Sequence, residues 1–242
     1  MTWFESWFES PWYPRLYHHR TEEEAAEAIE LVHHVADLPR GARILDLCCG
    51  YGRHASALAE HGYEVTGLDA STLLIERAEH LYSNDHVSFV VGDMRGPYPH
   101  APYDAIVNFF TSFGYFDVHS ENAGVIATMH DSVREGGMVV MDFFNARLVR
   151  ERLVPETVSM IDGVTIIQER RIEEPFVCKT ITINEPCQGE YTFEERVWLY
   201  SHEELVTMMT NAGLTIIRSC GSYQGAPFDE ATSERCIIIA KR

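Results

Sequence analysis

Between residues 42 and 142 the chain alternates short apolar runs with longer stretches in which apolar positions recur every three or four residues. The runs at 44–47, 64–68, 86–91, 103–108 and 138–142 lack the in-and-out alternation of a sheet with one wet face. Continuity of that kind suits strands covered on both faces, so the pattern predicts a parallel sheet between two layers of helices. A helix is expected at 53–61, stopped by Gly62 as a left-handed cap, and another at 119–134, before a turn at Gly136-Gly137. Ahead of the first strand, Thr21 and Glu24 form a capping box for a stripe of Ala25, Ala28, Ile29, Val32 and Ala36, which predicts a leading helix.

Beyond residue 153 the period shortens to two. Strand-like runs at 158–161, 164–171, 178–184 and 191–200 are separated by turn signals at Asp162-Gly163, Glu174-Pro175 and 186–189. These runs need antiparallel partners, and a small meander inserted after the fifth strand supplies them. Ser201 with Glu204 then caps a helix ending at Ala212-Gly213, and 214–218 with 236–240 close the main sheet. At the other end Trp3-Phe4-Glu5-Ser6 recurs as Trp7-Phe8-Glu9-Ser10, a four-residue period that stacks aromatics on one helix face. The expected organisation is an aromatic flap at 1–20, one α/β domain at 21–153 and 201–242, and a β lid at 154–200. The flap either packs on the domain or also closes over a ligand.

Charge narrows the function. With 37 acids against 19 lysines and arginines, a net charge of −18 argues against nucleic acid, whose phosphates are held by clustered cations. The six cysteines, Cys48, Cys49, Cys178, Cys187, Cys220 and Cys236, have no metal spacing and no dense framework, which suits reduced thiols in a cytoplasm. Adjacent pairs such as His18-His19 and His33-His34 diverge on a helix, so no metal site is expected. No apolar run reaches membrane-spanning length, and the first residues lack the pattern of a signal peptide, so no membrane association is expected.

The chemistry is concentrated in residues 43–71, which read strand, glycine turn, helix, strand and acidic tip. Gly50-Tyr51-Gly52 allows a tight turn into a helix, and Asp69, 23 residues after Asp46, is placed to bind the two hydroxyls of a ribose. A dinucleotide would bring its pyrophosphate to that turn, where a carboxylate on Asp46 would repel it. A cofactor with an ammonium group is attracted instead, and S-adenosyl-L-methionine has one. The segment resembles the class I S-adenosylmethionine-dependent methyltransferases, with Cys48 standing where their first turn glycine would be. That resemblance implies a Rossmann-like, doubly wound seven-stranded sheet whose last strand is antiparallel, here with an inserted antiparallel β layer. It also implies that Asp93 takes the adenine amine and Met94 covers the ring.

The strand ending at Asn108 runs into an aromatic loop, 109–116, and ligands of open α/β sheets bind at such carboxyl ends. Asn108 and Phe109 are therefore placed nearest the cofactor, with Phe113 and Tyr115 on the substrate side and Asn145 added by its position after the fifth strand. Aromatic faces suit a sulfonium cation. The loop 111–114, the residues 92–95 and the β layer ending in Arg196-Val197-Trp198-Leu199-Tyr200 together resemble the sugar-amine and glycine N-methyltransferases. In that branch a flap tyrosine and arginine meet the cofactor, which implies Tyr17 and Arg20. The expected cofactor set is thus Tyr17, Arg20, Asp46, Cys48, Gly50, Gly52, Asp69, Ala70, Asp93, Met94, Asn108 and Phe109. The expected reaction is in-line methyl transfer to a small molecule, at an amine nitrogen or a hydroxyl oxygen, releasing S-adenosyl-L-homocysteine. A hydroxyl would need a base, for which His18, His19, His202 and Tyr115 are candidates, with Tyr17 also on the substrate side. The acids of the β layer, among them Glu169, Glu173, Glu174, Glu190, Glu194 and Glu195, form either a solvated face or an attractor for a cationic amine. Two other readings stay open: an S-adenosylmethionine-binding sensor or cyclase, and an NAD(P)-dependent oxidoreductase using Gly50, Gly52 and Ala55. A homo-oligomer is compatible with all of them.

Overall fold

The structure, a computed structural model, describes residues 2–186 and 189–242. Cys187 and the middle of the turn expected at 186–189 lie outside the described residues. Eight helices and eleven strands follow in order: α1 (Trp3–Phe8), α2 (Trp12–Leu16), α3 (Glu22–Ala36), β1 (Arg43–Leu47), α4 (Arg53–Glu60), β2 (Glu64–Asp69), α5 (Thr72–Tyr82), β3 (Val87–Val91), β4 (Tyr103–Asn108), α6 (His119–Ser132), β5 (Val133–Phe144), α7 (Ala146–Arg152), β6 (Glu156–Ile161), β7 (Val164–Glu173), β8 (Phe176–Glu185), β9 (Gly189–Trp198), α8 (His202–Asn211), β10 (Thr215–Cys220) and β11 (Arg235–Lys241).

The main sheet has seven strands in the order β10-β11-β5-β4-β1-β2-β3, and a separate four-stranded antiparallel sheet runs β6-β7-β8-β9. β1 pairs in parallel with both β2 and β4, whereas β11 lies antiparallel to β5 and β10. Burial on both faces follows the continuous apolar runs: Ile44, Val65 and Ala105 pack under α3 and α4, while Leu45, Leu47, Leu68 and Ile106 pack toward α6 and α8. Chain direction out of the sheet reverses between β1 and β4, and a cleft opens there at their carboxyl ends.

Three local outcomes differ from the sequence pattern. β5 begins at Val133, five positions before the run at 138, because Gly136-Gly137 makes an irregularity inside the strand. A side chain on Gly137 would meet the Asp104 carbonyl oxygen at 2.8 Å, so the close approach of β4 requires glycine. The short helix α7 has no counterpart in the sequence pattern; Asn145 caps it by accepting from the Arg147 N–H. At Thr21 only half of the expected capping box forms, since Glu24 turns to Arg20.

α1 and α2 pack Trp7, Trp12 and Leu16 against Val164, Ile166, Ile181 and Ile183 of the second sheet, forming a third apolar core. Trp7 is wholly buried there. Burial of roughly 200 Å² of indole at about 25 cal/mol per Å² contributes about 5 kcal/mol of apolar transfer toward docking the N-terminal helices on that sheet.

Candidate active site

The turn after β1 places Cys48, Gly50 and Gly52 in the left-handed region, with φ of 62°, 57° and 92°. The two glycines serve different ends. A Cβ on Gly52 would lie 2.7 Å from Phe89, so this glycine lets α4 pack on the sheet, whereas a Cβ on Gly50 meets nothing within 4 Å and faces open space. Cys48 adopts the same backbone at a cost of about 1–2 kcal/mol, so its position is conformationally a glycine position occupied by a thiol. The Asp69 carboxylate at the tip of β2 accepts from the Gly50 and Ser71 N–H groups, each at 2.9 Å, tying the turn to the neighbouring strand.

Beneath the turn, Asp46 is buried with one carboxylate oxygen unpartnered, and Asn108 on the adjacent strand β4 likewise leaves its amide oxygen unpartnered. The other Asn108 atom, Nδ2, donates to the Leu47 and Ser112 carbonyls at 2.9 and 3.1 Å. Burial, reinforced by nearby Asp69, pushes the Asp46 carboxyl up to about 7. Two acceptors in want of a donor suit a cationic amine, and the open cradle at Gly50 suits close approach of a ligand to the backbone. Asp46 and Asn108 do not themselves line the cleft.

The cleft consists of a cavity of about 710 Å³ and a narrow extension of about 70 Å³, both bordered by Phe8, Tyr13, Cys48, Gly50, Ser112 and Tyr115. The larger volume falls within the usual range for small-molecule sites. Asp69, Ala70, Asp93 and Met94 line the narrow end together with Phe4. The Asp93 carboxylate is engaged by Arg95, whose Nε and Nη2 donate to it, and that pairing holds its pKa below the ordinary range. Tyr17, Arg20, Phe109 and Asn145 line the wide end. The Tyr17 hydroxyl and the Trp7 indole N–H each donate to Glu195 at 2.7 Å, and Lys179, directly across from Glu195 in the β8–β9 pairing, completes the cluster. Desolvation raises the Tyr17 pKa well above its ordinary value, so its phenol remains protonated.

The structure separates several expected site residues from the cleft. Phe113 is fully buried in the core between Phe143 and Tyr200, because the loop after β4 turns this side chain into the apolar layer between the sheet and α6 and α8. His18 is exposed and turned to the Arg15 carbonyl. His202 lies on α8, bonded to Ser219 Oγ at 2.8 Å and stacked on Phe228. Asn145 borders the cavity but spends its amide N–H groups on the Glu230 and Ser233 carbonyls. Among the β-layer acids named from sequence, Glu195 alone lines the cavity; Glu173 and Glu174 pair outward with Arg171 and Arg150.

The buried His54 and the strained backbone inside the aromatic loop carried no sequence signal. His54 is buried, stacked 4.7 Å from Phe109, and held neutral by desolvation that lowers its pKa to about 3. Phe110 and Thr111 both have left-handed backbones, with φ of 56° and 62°. Their strain is held by Asp142, buried at the end of β5, which accepts from the Phe110 N–H, the Tyr223 hydroxyl and the Arg235 guanidinium. Only the folded chain brings Asp142, Tyr223 and Arg235 together. Among the described residues no group of His, Cys, Asp or Glu is arranged to hold a metal, and no helix is long and apolar enough to cross a membrane.

Residues 44–137 match the family model described as "Methyltransferase domain". The chain is 24% identical over 216 residues to the dTDP-3-amino-3,4,6-trideoxy-alpha-D-glucopyranose N,N-dimethyltransferase of Streptomyces venezuelae, covering 84% of this chain and 89% of that one. Its fold matches an S-adenosylmethionine-dependent methyltransferase from Clostridium acetobutylicum with a TM-score of 0.81 at 17% identity, covering 95% of each chain. It also matches the S-adenosylmethionine-bound amino pentose methyltransferase CalS10 of Micromonospora echinaspora, with a TM-score of 0.69, 21% identity and coverage of 96% and 97%. The glycine cradle at the β1–β4 switch point thus lies inside the matched methyltransferase domain, and the chain has the fold of the S-adenosylmethionine-dependent methyltransferases it is similar to.

Proposed function

We propose that the protein methylates an amine nitrogen of a small molecule in the wide end of the cleft, with S-adenosylmethionine lying along the β1 turn. The observation that carries this reading is the Gly50 cradle, open to the cleft and set above two unpartnered buried acceptors on Asp46 and Asn108. The N-methyltransferase similar over 84% of the chain supports nitrogen as the acceptor atom. Bound, the cofactor supplies a methyl group on a sulfonium, and transfer breaks the carbon–sulfur bond, forms a carbon–nitrogen bond and leaves the sulfur its electron pair.

Asp46, buried behind the turn, attracts the cofactor ammonium through its charge without lining the cleft, Gly50 and Cys48 border its methionine portion, and Asp69 and Ala70 face its ribose. Met94, beside an Asp93 already occupied by Arg95, covers the adenine. Tyr17 and Arg20 close the wide end over the methionine carboxylate, and Tyr115, lining both parts of the cleft, marks the junction where the acceptor nitrogen must stand. Neither His54 nor Tyr115 is suited to take a hydroxyl proton: burial lowers the His54 pKa to about 3, so its neutral imidazole binds a proton only weakly, and Tyr115 is desolvated with its pKa raised well above its ordinary value. This favours an acceptor that arrives as a neutral amine and passes its proton to water, since an alcohol would need deprotonation. Acceleration then comes mainly from alignment and exclusion of water, worth roughly 7–11 kcal/mol when the geometry is good.

The test is transfer of labelled methyl from S-adenosylmethionine to matched primary amines and alcohols, with calorimetric titration of S-adenosylhomocysteine alongside. Amine products are expected. Tight S-adenosylhomocysteine binding with methylation of alcohols only would overturn the nitrogen assignment.

A further inference from the structure

The wide end of the cleft is basic in a chain that is otherwise strongly acidic. Arg20, Arg53, Arg152, Arg170, Lys179 and Arg235 line it, against the two carboxylates Glu195 and Glu234. The remaining acids of the cleft, Asp69 and Asp93, line only the narrow end. Charge is therefore segregated along the cleft, with carboxylates where ribose and adenine are proposed to lie and cations where the acceptor must enter.

Four of these cations are already engaged by the protein. Lys179 pairs with Glu195, Arg235 with Asp142 and Arg20 with Glu24, while Arg53 donates to the Thr21 carbonyl at 2.6 Å. Arg152 and Arg170 have no carboxylate partner among the described residues. Their neighbours do: on α7, Arg147 pairs with Glu151 and Arg150 with Glu174, and on β7, Arg171 pairs with Glu173. Arg53 likewise has no carboxylate partner among the described residues, so in a chain with 37 acids three arginines of one cavity keep their charge: Arg53 beside the glycine turn, and Arg152 and Arg170 on α7 and β7. The Arg170 guanidinium is held by the neutral oxygens of Thr157 and Gln168, each at 3.1 Å, which orient it without cancelling its charge. The guanidinium of Arg152, at the last position of α7, makes no hydrogen bond or ion pair within the described residues. The cofactor deepens the imbalance, because its sulfonium and ammonium outweigh its one carboxylate.

We infer that the methyl acceptor carries an anionic group, a carboxylate or a phosphate ester, which Arg152 and Arg170 hold while its amine faces Tyr115. This rests on the proposed methyl transfer. Guanidinium forks suit both anions, and a charge bound at the far end of the cavity fixes which atom of the acceptor reaches the methyl group. The arginine pair is thus a specificity determinant and takes no part in bond making.

Titrating inorganic phosphate and, separately, acetate into the enzyme saturated with S-adenosylhomocysteine tests this. Saturable binding of one or both is expected, phosphate alone indicating a phosphate ester and acetate alone a carboxylate. The double variant Arg152→Met/Arg170→Met is expected to weaken that binding at least about tenfold while leaving S-adenosylhomocysteine affinity within about twofold. In turnover, glucosamine 6-phosphate or an α-amino acid is expected to be preferred over glucosamine or the amino acid amide, and the double variant to lose the preference. No anion binding by the wild type, or binding unchanged in the double variant, overturns the inference. Absence of S-adenosylhomocysteine binding removes the proposed function itself, whereas tight binding of it without any anion effect sinks the anionic acceptor alone.

Discussion

Gly50 and Gly52 look interchangeable in the sequence, yet they meet different surroundings. Gly52→Ala drives a methyl group against Phe89 at 2.7 Å in a left-handed backbone, so a stability loss of about 2–4 kcal/mol is expected in urea denaturation, whatever happens to binding. Gly50→Ala finds open space and carries mainly the backbone penalty of about 1–2 kcal/mol. Its methyl group intrudes on the proposed cofactor path, so calorimetry should register a loss of S-adenosylhomocysteine affinity of at least about tenfold. Equal affinity in wild type and Gly50→Ala would mean that the cofactor does not approach this backbone. Cys48 belongs to the same series, since its φ of 62° shows that the turn keeps its shape when a side chain occupies the first glycine position.

The N-terminal helices divide their aromatic side chains between two tasks. Trp7 is fully buried against Phe193 of β9 and donates to Glu195, while Phe8, partly exposed, borders both parts of the cleft. Trp7→Ala is therefore expected to cost about 3–5 kcal/mol in stability. Phe8→Ala should cost far less and instead weaken S-adenosylhomocysteine binding; comparing thermal midpoints with calorimetric affinities separates the two. If both variants lost stability alone, α1 would be a packing element only. The repeat Trp3 to Ser10 made the helix legible, but not this division, because a four-residue period stacks side chains without naming the surface each will meet. α7 escapes the sequence pattern for a related reason: its seven residues carry three arginines and a glutamate with no apolar stripe, and its cap, Asn145, is fixed by carbonyls about 85 residues away in sequence.

At the scale of the whole molecule, folding, protonation and binding are linked through Asp46. Its pKa rises from 3.8 to about 7 on folding, so the folded state holds the proton more tightly. Stability from this group is present below pH 4 and is lost as pH climbs to 7, by about 4 kcal/mol at most. His54, lowered from 6.5 to about 3, acts oppositely, its contribution being complete above pH 6.5 and lost as pH falls. An ammonium placed at Asp46 favours the carboxylate, so cofactor binding below pH 7 should release a proton, measurable by calorimetry in buffers of different ionisation enthalpy. Asp46→Asn should abolish that release and gain stability relative to wild type between pH 4 and 7. Binding without proton release in the wild type would place the ammonium elsewhere. By itself the sequence determined the parallel sheet, the antiparallel insertion, the cap residues Gly62 and Ser201, and the glycine turn with its two acids. These are written in local periodicity and in backbone conformations that few residues adopt. Tertiary structure alone decided that Phe113 is core, that His18 and His202 face away, that Asp142 holds the strained loop at Phe110, and that Arg152 and Arg170 share a cavity with the turn. Those facts depend on which distant surfaces meet, and side-chain identity at one position carries no record of its partner a hundred residues away.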